Sequence, residues 1–350
     1  MLSHQKLTVR ATDLIAEKQS LDNIRKYIGS GKLTWTSSGR AALKHILLHE
    51  KEAKNIAIPA FTCHVVVDAI KRAGKRPVIF DSGAVADVED VRMVVSNIDA
   101  LVLPYNFGFM ADTEKIARVC RKEEVLLIED CAQAIGAELR DNKAGSFGKY
   151  AFYSFGISKN IGFVGGMIRG KNIEINTAKL PFAFRAKLNI EAAINNAFFS
   201  RYFYGFGRKL LERELEKEHD DIDYEMPEHY KNVVLKIASR YDKILKIRRE
   251  NANICTEELD GIIDFIKPIK DSKAAWLYFV LMSKQRDKLR KLLLRECIDV
   301  QPMRTFGNIG RKENTKASNT EKEHLVFALY RDTSEVWQII KKIKKVSKVL

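Results

Sequence analysis

Proline is scarce in this 350-residue chain, with 7 in all, and cysteine is scarcer at 5. The cysteines, Cys63, Cys120, Cys131, Cys255 and Cys297, are odd in number and form no Cys-x-x-Cys pair, which argues for reduced thiols and against a zinc site. No uninterrupted apolar run approaches the ~18 residues that a membrane-spanning helix needs. No repeat or low-complexity tract stands out, and Met1-Leu2-Ser3-His4-Gln5-Lys6 leads into polar residues without the apolar core of an export signal. Together these absences predict a cytoplasmic globular protein. Acidic residues are also in deficit, 45 against 60 basic ones, for a net charge of +15. That excess suits an anionic substrate, an anionic membrane surface or a solvated lysine-rich exterior. Nucleic acid is disfavoured, because the basic residues are spread along the chain with no recognisable nucleic-acid module. The length exceeds that of a usual single domain and suggests two domains in one unit.

What is present begins with short apolar runs. Ile56-Ala57-Ile58-Pro59, Ile98 to Pro104, Val125-Leu126-Leu127-Ile128 and Ala151-Phe152-Tyr153-Ser154-Phe155 read as strands, with helical patterns such as Thr113 to Glu123 between them. Strands alternating with helices predict an α/β protein with a mostly parallel sheet covered on both faces. Glu129-Asp130 then falls at the carboxyl end of a strand, where open α/β sheets place their ligands. Lys159, in Tyr153-Ser154-Phe155-Gly156-Ile157-Ser158-Lys159-Asn160, follows the next strand. A lysine that can hold an aldehyde cofactor as a Schiff base, and a carboxylate that keeps a pyridine nitrogen protonated, together suggest pyridoxal phosphate chemistry. Ser37-Ser38-Gly39 ahead of Ala41-Ala42-Leu43 is a helix-start signature, and a helix N-terminus offers N–H groups and positive dipole to an anion.

Five stretches carry a family resemblance: Ser37 to Leu43, Pro59-Ala60-Phe61-Thr62, Glu129 to Ala137, Gly145-Ser146-Phe147-Gly148, and Ser154 to Gly166. In order and spacing they resemble the DegT/DnrJ/StrS sugar aminotransferases, and a weaker likeness continues to the C-terminus. The resemblance implies the fold-type I architecture: a mostly parallel seven-stranded sheet sandwiched by helices, with a smaller C-terminal α/β domain. It also implies bound pyridoxal 5'-phosphate. Lys159 would hold the cofactor and move the proton in transamination, and Asp130 would pair with the pyridine nitrogen. Gln133 would sit by the phenolic oxygen or the ring face. Ser154 would donate to the phosphate, alongside Ser38, Gly39 and Arg40. Plainer roles also suit these residues: a helix cap for Asp130, Ser38 and Gly39, a polar turn residue for Gln133, a satisfied strand hydroxyl for Ser154, and a solvated surface charge for Lys159.

The chain departs from the family in three places. Arg40 replaces a threonine, and its guanidinium still suits a phosphate. Cys63 and His64 stand where the family stacks Trp or Phe on the cofactor ring, leaving either His64 to take the ring face or Cys63 simply to pack. Asp223-Tyr224-Glu225-Met226 resembles a segment whose asparagine reaches the neighbouring subunit's phosphate. A carboxylate there requires a cation, Arg40 or another, or a side chain that turns away.

The expected division is a large cofactor-binding domain over 1–222, with an aromatic-rich helical segment at 171–220, and a connecting helix and small domain over 223–350. The aromatics from Phe182 to Phe206 suit a dimer interface or core, or else a membrane or lipid-linked substrate. Val233 to Asn253 reads as one long helix, Ala274 to Met282 as a strand and Asp287 to Glu296 as a helix. The Val336 to Val346 helix should pack one face, with lipid head groups as the alternative partner for its lysines. The reading is a homodimeric aminotransferase that moves an amino group from an amino acid, glutamate by family analogy, to a keto-sugar, expected to be nucleotide-linked, in amino-sugar or polysaccharide biosynthesis. The alternatives are a catalytically idle or regulatory relative, a basic interaction protein on the same scaffold, and a pyridoxal-phosphate sugar dehydratase. Lys159 argues against the last, because related dehydratases carry histidine there.

Overall fold

The apolar runs that end in motif residues assemble side by side. In the computed structural model, which describes residues 1–180, 223–303, 305–313 and 315–350, a seven-stranded sheet has the spatial order Lys32–Thr36, Gly166–Gly170, Tyr150–Ser154, Leu126–Asp130, Ala100–Pro104, Asn55–Pro59, Arg76–Phe80. Only Gly166–Gly170 runs against its neighbours; the remaining pairings are parallel. Ala100–Pro104 is buried along its whole length, as a central parallel strand must be when helices cover both faces. Its side chains alternate: Leu101 and Leu103 enter one core, Ala100 and Val102 the other. Helices Gly39–His49 and His64–Arg72 close the second core, while Thr113–Lys122 and Glu228–Ser239 close the first.

A third core lies on an antiparallel sheet of Asp264–Phe265, Tyr278–Met282 and His324–Ala328. The Thr333–Ser347 helix packs on it as its spacing predicts. Val336, Ile339, Ile340, Ile343 and Val346 are buried, each contributing roughly 1.5–3 kcal/mol of apolar burial. The first residues of the chain join this core too, for Leu2 lies between the Cys297 carbonyl and the Asp299 N–H at 3.0 and 2.9 Å.

Three expectations need correction. The span read as one helix from Val233 is two, Glu228–Ser239 and Tyr241–Leu259, broken at Arg240 (φ −109°, ψ 8°). There the guanidinium is tied to both Asp13 oxygens at 2.8 and 2.6 Å and to the Thr8 carbonyl at 2.7 Å, so the chain turns around an anchored side chain. The strand read from Ala274 starts at Tyr278, because Trp276 adopts a left-handed φ of 48°. Finally, 171–180 is not helical; Ala178–Lys179 pairs in parallel with Tyr224–Glu225. The aromatic run from Phe182 to Phe206 lies outside the described residues. Among the described residues, no helix is long and apolar enough to cross a membrane.

Candidate active site

The carboxyl ends of the central strands open on a pocket, where open α/β sheets place their ligands. Seven of the residues singled out in the sequence line it: Gly39, Arg40, Cys63, Asp130, Gln133, Ser154 and Lys159. Ser38 and His64 do not. The Ser38 hydroxyl caps the helix instead, accepting the Ala41 N–H at 3.0 Å. His64 is exposed, with Nδ1 at 3.1 Å from the Thr305 carbonyl.

Asp130 ends its strand almost fully buried, at 8% exposure. Its Oδ1 accepts the Ala132 N–H at 2.9 Å, so one oxygen does cap the next turn. Among the described residues it forms no ion pair. Burial pushes its carboxyl up to about 6, while the charge of Lys159 and the Ala132 bond pull it down. A group that brings a positive N–H into the pocket would supply the missing counter-charge. Its neighbour Glu129 points the other way and explains the Gly145-Ser146-Phe147-Gly148 motif. Its carboxylate accepts the N–H groups of Gly145, Phe147 and Gly148 at 2.7, 2.7 and 2.6 Å and the Tyr105 hydroxyl at 2.6 Å. That nest fixes the strand end from which Asp130 projects.

The anion end of the pocket is the start of Gly39–His49. Glycine is required there by proximity, since a Cβ on Gly39 would lie 2.9 Å from the Ser154 Cβ. The close approach sets the Ser154 hydroxyl beside the helix N-terminus, where N–H groups and dipole favour a phosphate. One turn on, Asp223 is held within its own chain. It accepts the Ser37 hydroxyl at 3.1 Å and pairs with Lys44 at 2.9 Å and His45 at 2.6 Å. Despite partial burial, these partners pull its carboxyl down to about 2. The cation that offsets Asp223 is therefore Lys44, with His45 as a hydrogen-bond partner, and not Arg40, which lies 3.8 Å from Asp68.

Lys159 sits in a loop pinned on both flanks. The Tyr278 hydroxyl donates to the Ser158 carbonyl at 3.4 Å, and the Asn160 amide donates to the Tyr241 hydroxyl at 3.0 Å. Tyr241 in turn donates to the Ile135 carbonyl at 2.9 Å and receives Arg248 at 3.2 Å. Sequence reasoning missed Tyr241, Tyr278 and Arg248. A signal existed: Tyr241, Ile244, Leu245 and Arg248 repeat at helical spacing, so a single arginine interrupts a buried stripe.

Gln133 also has a structural duty. Its Oε1 accepts the Phe107 N–H at 2.6 Å and so steadies a residue in the left-handed region (φ 60°). Phe107 stacks on Phe306, with centroids 5.9 Å apart, and both adjoin His324 or its neighbours in one aromatic cluster. His324 donates from Nδ1 to the Thr320 carbonyl at 2.7 Å and accepts the Met303 N–H at Nε2 at 2.8 Å, which requires a neutral ring. Burial pushes its pKa down to about 4. Because the unfolded chain takes up this proton first, the stability tied to neutral His324 is complete above pH 6.5 and is lost as pH falls from 6.5 to 4, by about 3 kcal/mol. Denaturant melts of wild type and His324→Gln across that window should show a shallower pH dependence in the variant; equal slopes would remove His324 from the account.

Residues 18–309 match the DegT/DnrJ/EryC1/StrS aminotransferase family. The chain is 24% identical over 284 residues to a GDP-perosamine synthase of Escherichia coli O157:H7, covering 77% of this chain and 71% of that one. It is 32% identical over 130 residues to a UDP-N-acetyl-3-dehydro-alpha-D-glucosamine 3-aminotransferase of Acidithiobacillus ferrooxidans, covering 34% of each. The aminotransferase TlmJ of Streptoalloteichus hindustanus superposes over 100% of both chains with a TM-score of 0.77 at 16% identity, a likeness of fold. The chain belongs to the DegT/DnrJ/EryC1/StrS aminotransferase family and is an aminotransferase dependent on pyridoxal phosphate. The pocket fits that cofactor. It has a buried carboxylate without an ion-pair partner among the described residues, a lysine, and a helix start with a serine hydroxyl beside it, all on one cavity.

Proposed function

We infer that the protein transfers an amino group from an amino acid, with glutamate as the donor, to a keto-sugar carried on a nucleotide. The observation that carries the chemistry is the convergence of Asp130 and Lys159 on one pocket whose far end is a helix N-terminus. The nucleotide-linked substrate is supported by the GDP- and UDP-sugar names of the relatives and by a net charge of +15, which attracts diphosphates. Pyridoxal phosphate, when bound, supplies the aldehyde that carries the amino group and an electron-withdrawing ring.

The chain's own residues then divide the work. Gly39 and Arg40 bind the phosphate through backbone N–H groups, and Ser154 through its hydroxyl. Asp130 holds a proton at the pyridine nitrogen, in a site dry enough for that charge to count. The Lys159 amine takes the proton from the donor's alpha carbon and returns it on the other side of the transfer. Its loop is fixed at Ser158 and Asn160, so the amine moves on a short tether and not with the backbone. We assign the working form to a two-fold dimer, in which Asp223, already paired at home with Lys44 and hydrogen-bonded by His45, makes no call on a partner's phosphate.

The test is purified protein with glutamate and a panel of GDP- and UDP-linked keto-sugars, read by mass spectrometry of the sugar amine and by release of 2-oxoglutarate. The expected outcome is amination of a nucleotide-linked keto-sugar and not of its free counterpart. A protein that binds the cofactor but aminates nothing with any amino acid would favour a catalytically idle relative.

A further inference from the structure

Asp130 and Lys159 fix the two ends of the cofactor ring, and the residue that meets the ring's face is not evident from the sequence, because Cys63 stands beside it. The structure shows what adjoins Cys63. The short strand Phe61–Cys63 pairs antiparallel with Phe306–Asn308, and the register sets Phe306 directly opposite Cys63. Side chains of directly opposed residues emerge on the same side of a β-ribbon, with Cβ atoms about 5 Å apart. Both residues line the pocket that Asp130 and Lys159 line. Burial pushes the Cys63 thiol up, while the charge of Lys159 pulls it down and that of Asp130 pushes it up.

We propose that the aromatic face against the cofactor's pyridine ring comes from Phe306, reached across the strand pair from Cys63. The small thiol leaves room for that ring, and the two residues divide between them a wall that one large aromatic at position 63 would otherwise fill. Phe306 is also held for the task. Its own N–H donates to the Met303 carbonyl at 2.9 Å, and the Met303 N–H is anchored by His324 at 2.8 Å. Behind it Phe107 stacks at an interplanar angle of 30°, itself fixed by Gln133. The Thr305 carbonyl accepts the His64 N–H at 3.1 Å, tying the Phe306 segment to the start of the helix that follows Cys63. His64 thereby belongs to the backbone anchoring of this wall.

The inference rests on pyridoxal phosphate as the ligand of this pocket, so the experiment is cofactor binding by apoenzyme, followed by absorbance and by circular dichroism of the cofactor band. Phe306→Leu keeps apolar volume in the cluster without an aromatic face, and Phe306→Ala removes both. Each should weaken binding about tenfold and change the dichroism, with thermal melts of the apoproteins reporting any folding defect separately. The decisive variant is the swap, Cys63→Phe with Phe306→Ala, which returns an aromatic to the same wall from the other strand and should recover most of the lost affinity. Wild-type affinity and dichroism in Phe306→Leu would overturn the proposal, and so would a swap that recovers nothing, since Phe306 would then matter only to its aromatic cluster. Failure of the wild-type apoenzyme to bind the cofactor would instead strike the reading of the pocket itself.

Discussion

Lys159→Ala should abolish aminotransfer, with a loss of at least about a thousandfold, the upper part of what a positioned acid–base group supplies. Loss of the covalent link to the cofactor adds to that. The fold should survive. The loop's contacts are made by the Ser158 carbonyl, the Asn160 amide and the Lys159 backbone N–H, which donates to Gly156 at 2.8 Å, and none needs the Lys159 side chain. Thermal melts of the apoproteins should therefore agree within the range of ordinary surface substitutions. Borohydride should fix the cofactor to Lys159 in the wild type, found by peptide mass, and to nothing in the variant. A small primary amine should restore part of the rate, because it can carry the proton without being tethered. Wild-type turnover by the variant with no amine added would end the assignment.

The parts of this site that were legible in the sequence are those written in contiguous residues. A buried parallel strand is a short apolar run whose carboxyl end faces the ligand edge, so Asp130 and, beyond the next strand, Lys159 were picked out from local pattern, while Ser154 at a strand end was picked out through the family resemblance. The Gly39 helix start was legible for the same reason, but its division of labour was not. The Ser38 oxygen is committed to the Ala41 N–H, and only the geometry of the turn shows that the neighbouring Gly39 and Arg40 reach the pocket while Ser38 does not.

What stayed hidden depends on pairings between distant segments. Phe306 faces the pocket only because its strand meets Phe61–Cys63 in one register, and a shift by one residue would turn it away. Lys44 and His45 find Asp223 because a segment far along the chain, just before Tyr224–Glu225, returns to the Gly39–His49 helix. Arg248 was lost in a lysine- and arginine-rich pattern because the phase of that helix is set by the break at Arg240, which depends on Asp13 near the N-terminus. In each case the residue type is ordinary and the partner supplies the meaning.

Asp130→Asn should move activity and stability in opposite directions. The amide keeps the oxygen that accepts the Ala132 N–H, so the turn after the strand is preserved. It cannot hold a proton on the pyridine nitrogen, and aminotransfer should fall by about a hundredfold or more, the scale of losing one preorganised electrostatic partner. Apoprotein stability should respond in the other sense. With the Asp130 carboxyl raised to about 6 in the fold, the folded chain holds its proton more tightly than the unfolded chain does. The cost of burying the charge is absent below the unfolded pKa of 3.8, grows as pH rises through 6, and above that reaches up to about 3 kcal/mol. The neutral amide escapes this cost. Apo Asp130→Asn should thus be more stable than apo wild type at pH 8 and no more stable at pH 4, as measured by denaturant melts at the two pH values. Bound cofactor should shrink the pH 8 difference, because the pyridinium compensates the wild-type carboxylate and not the amide. If rate and pH 8 stability both stayed at wild-type values, Asp130 would be no more than an acceptor for the Ala132 N–H, and the electrostatic half of this site would have to be sought elsewhere.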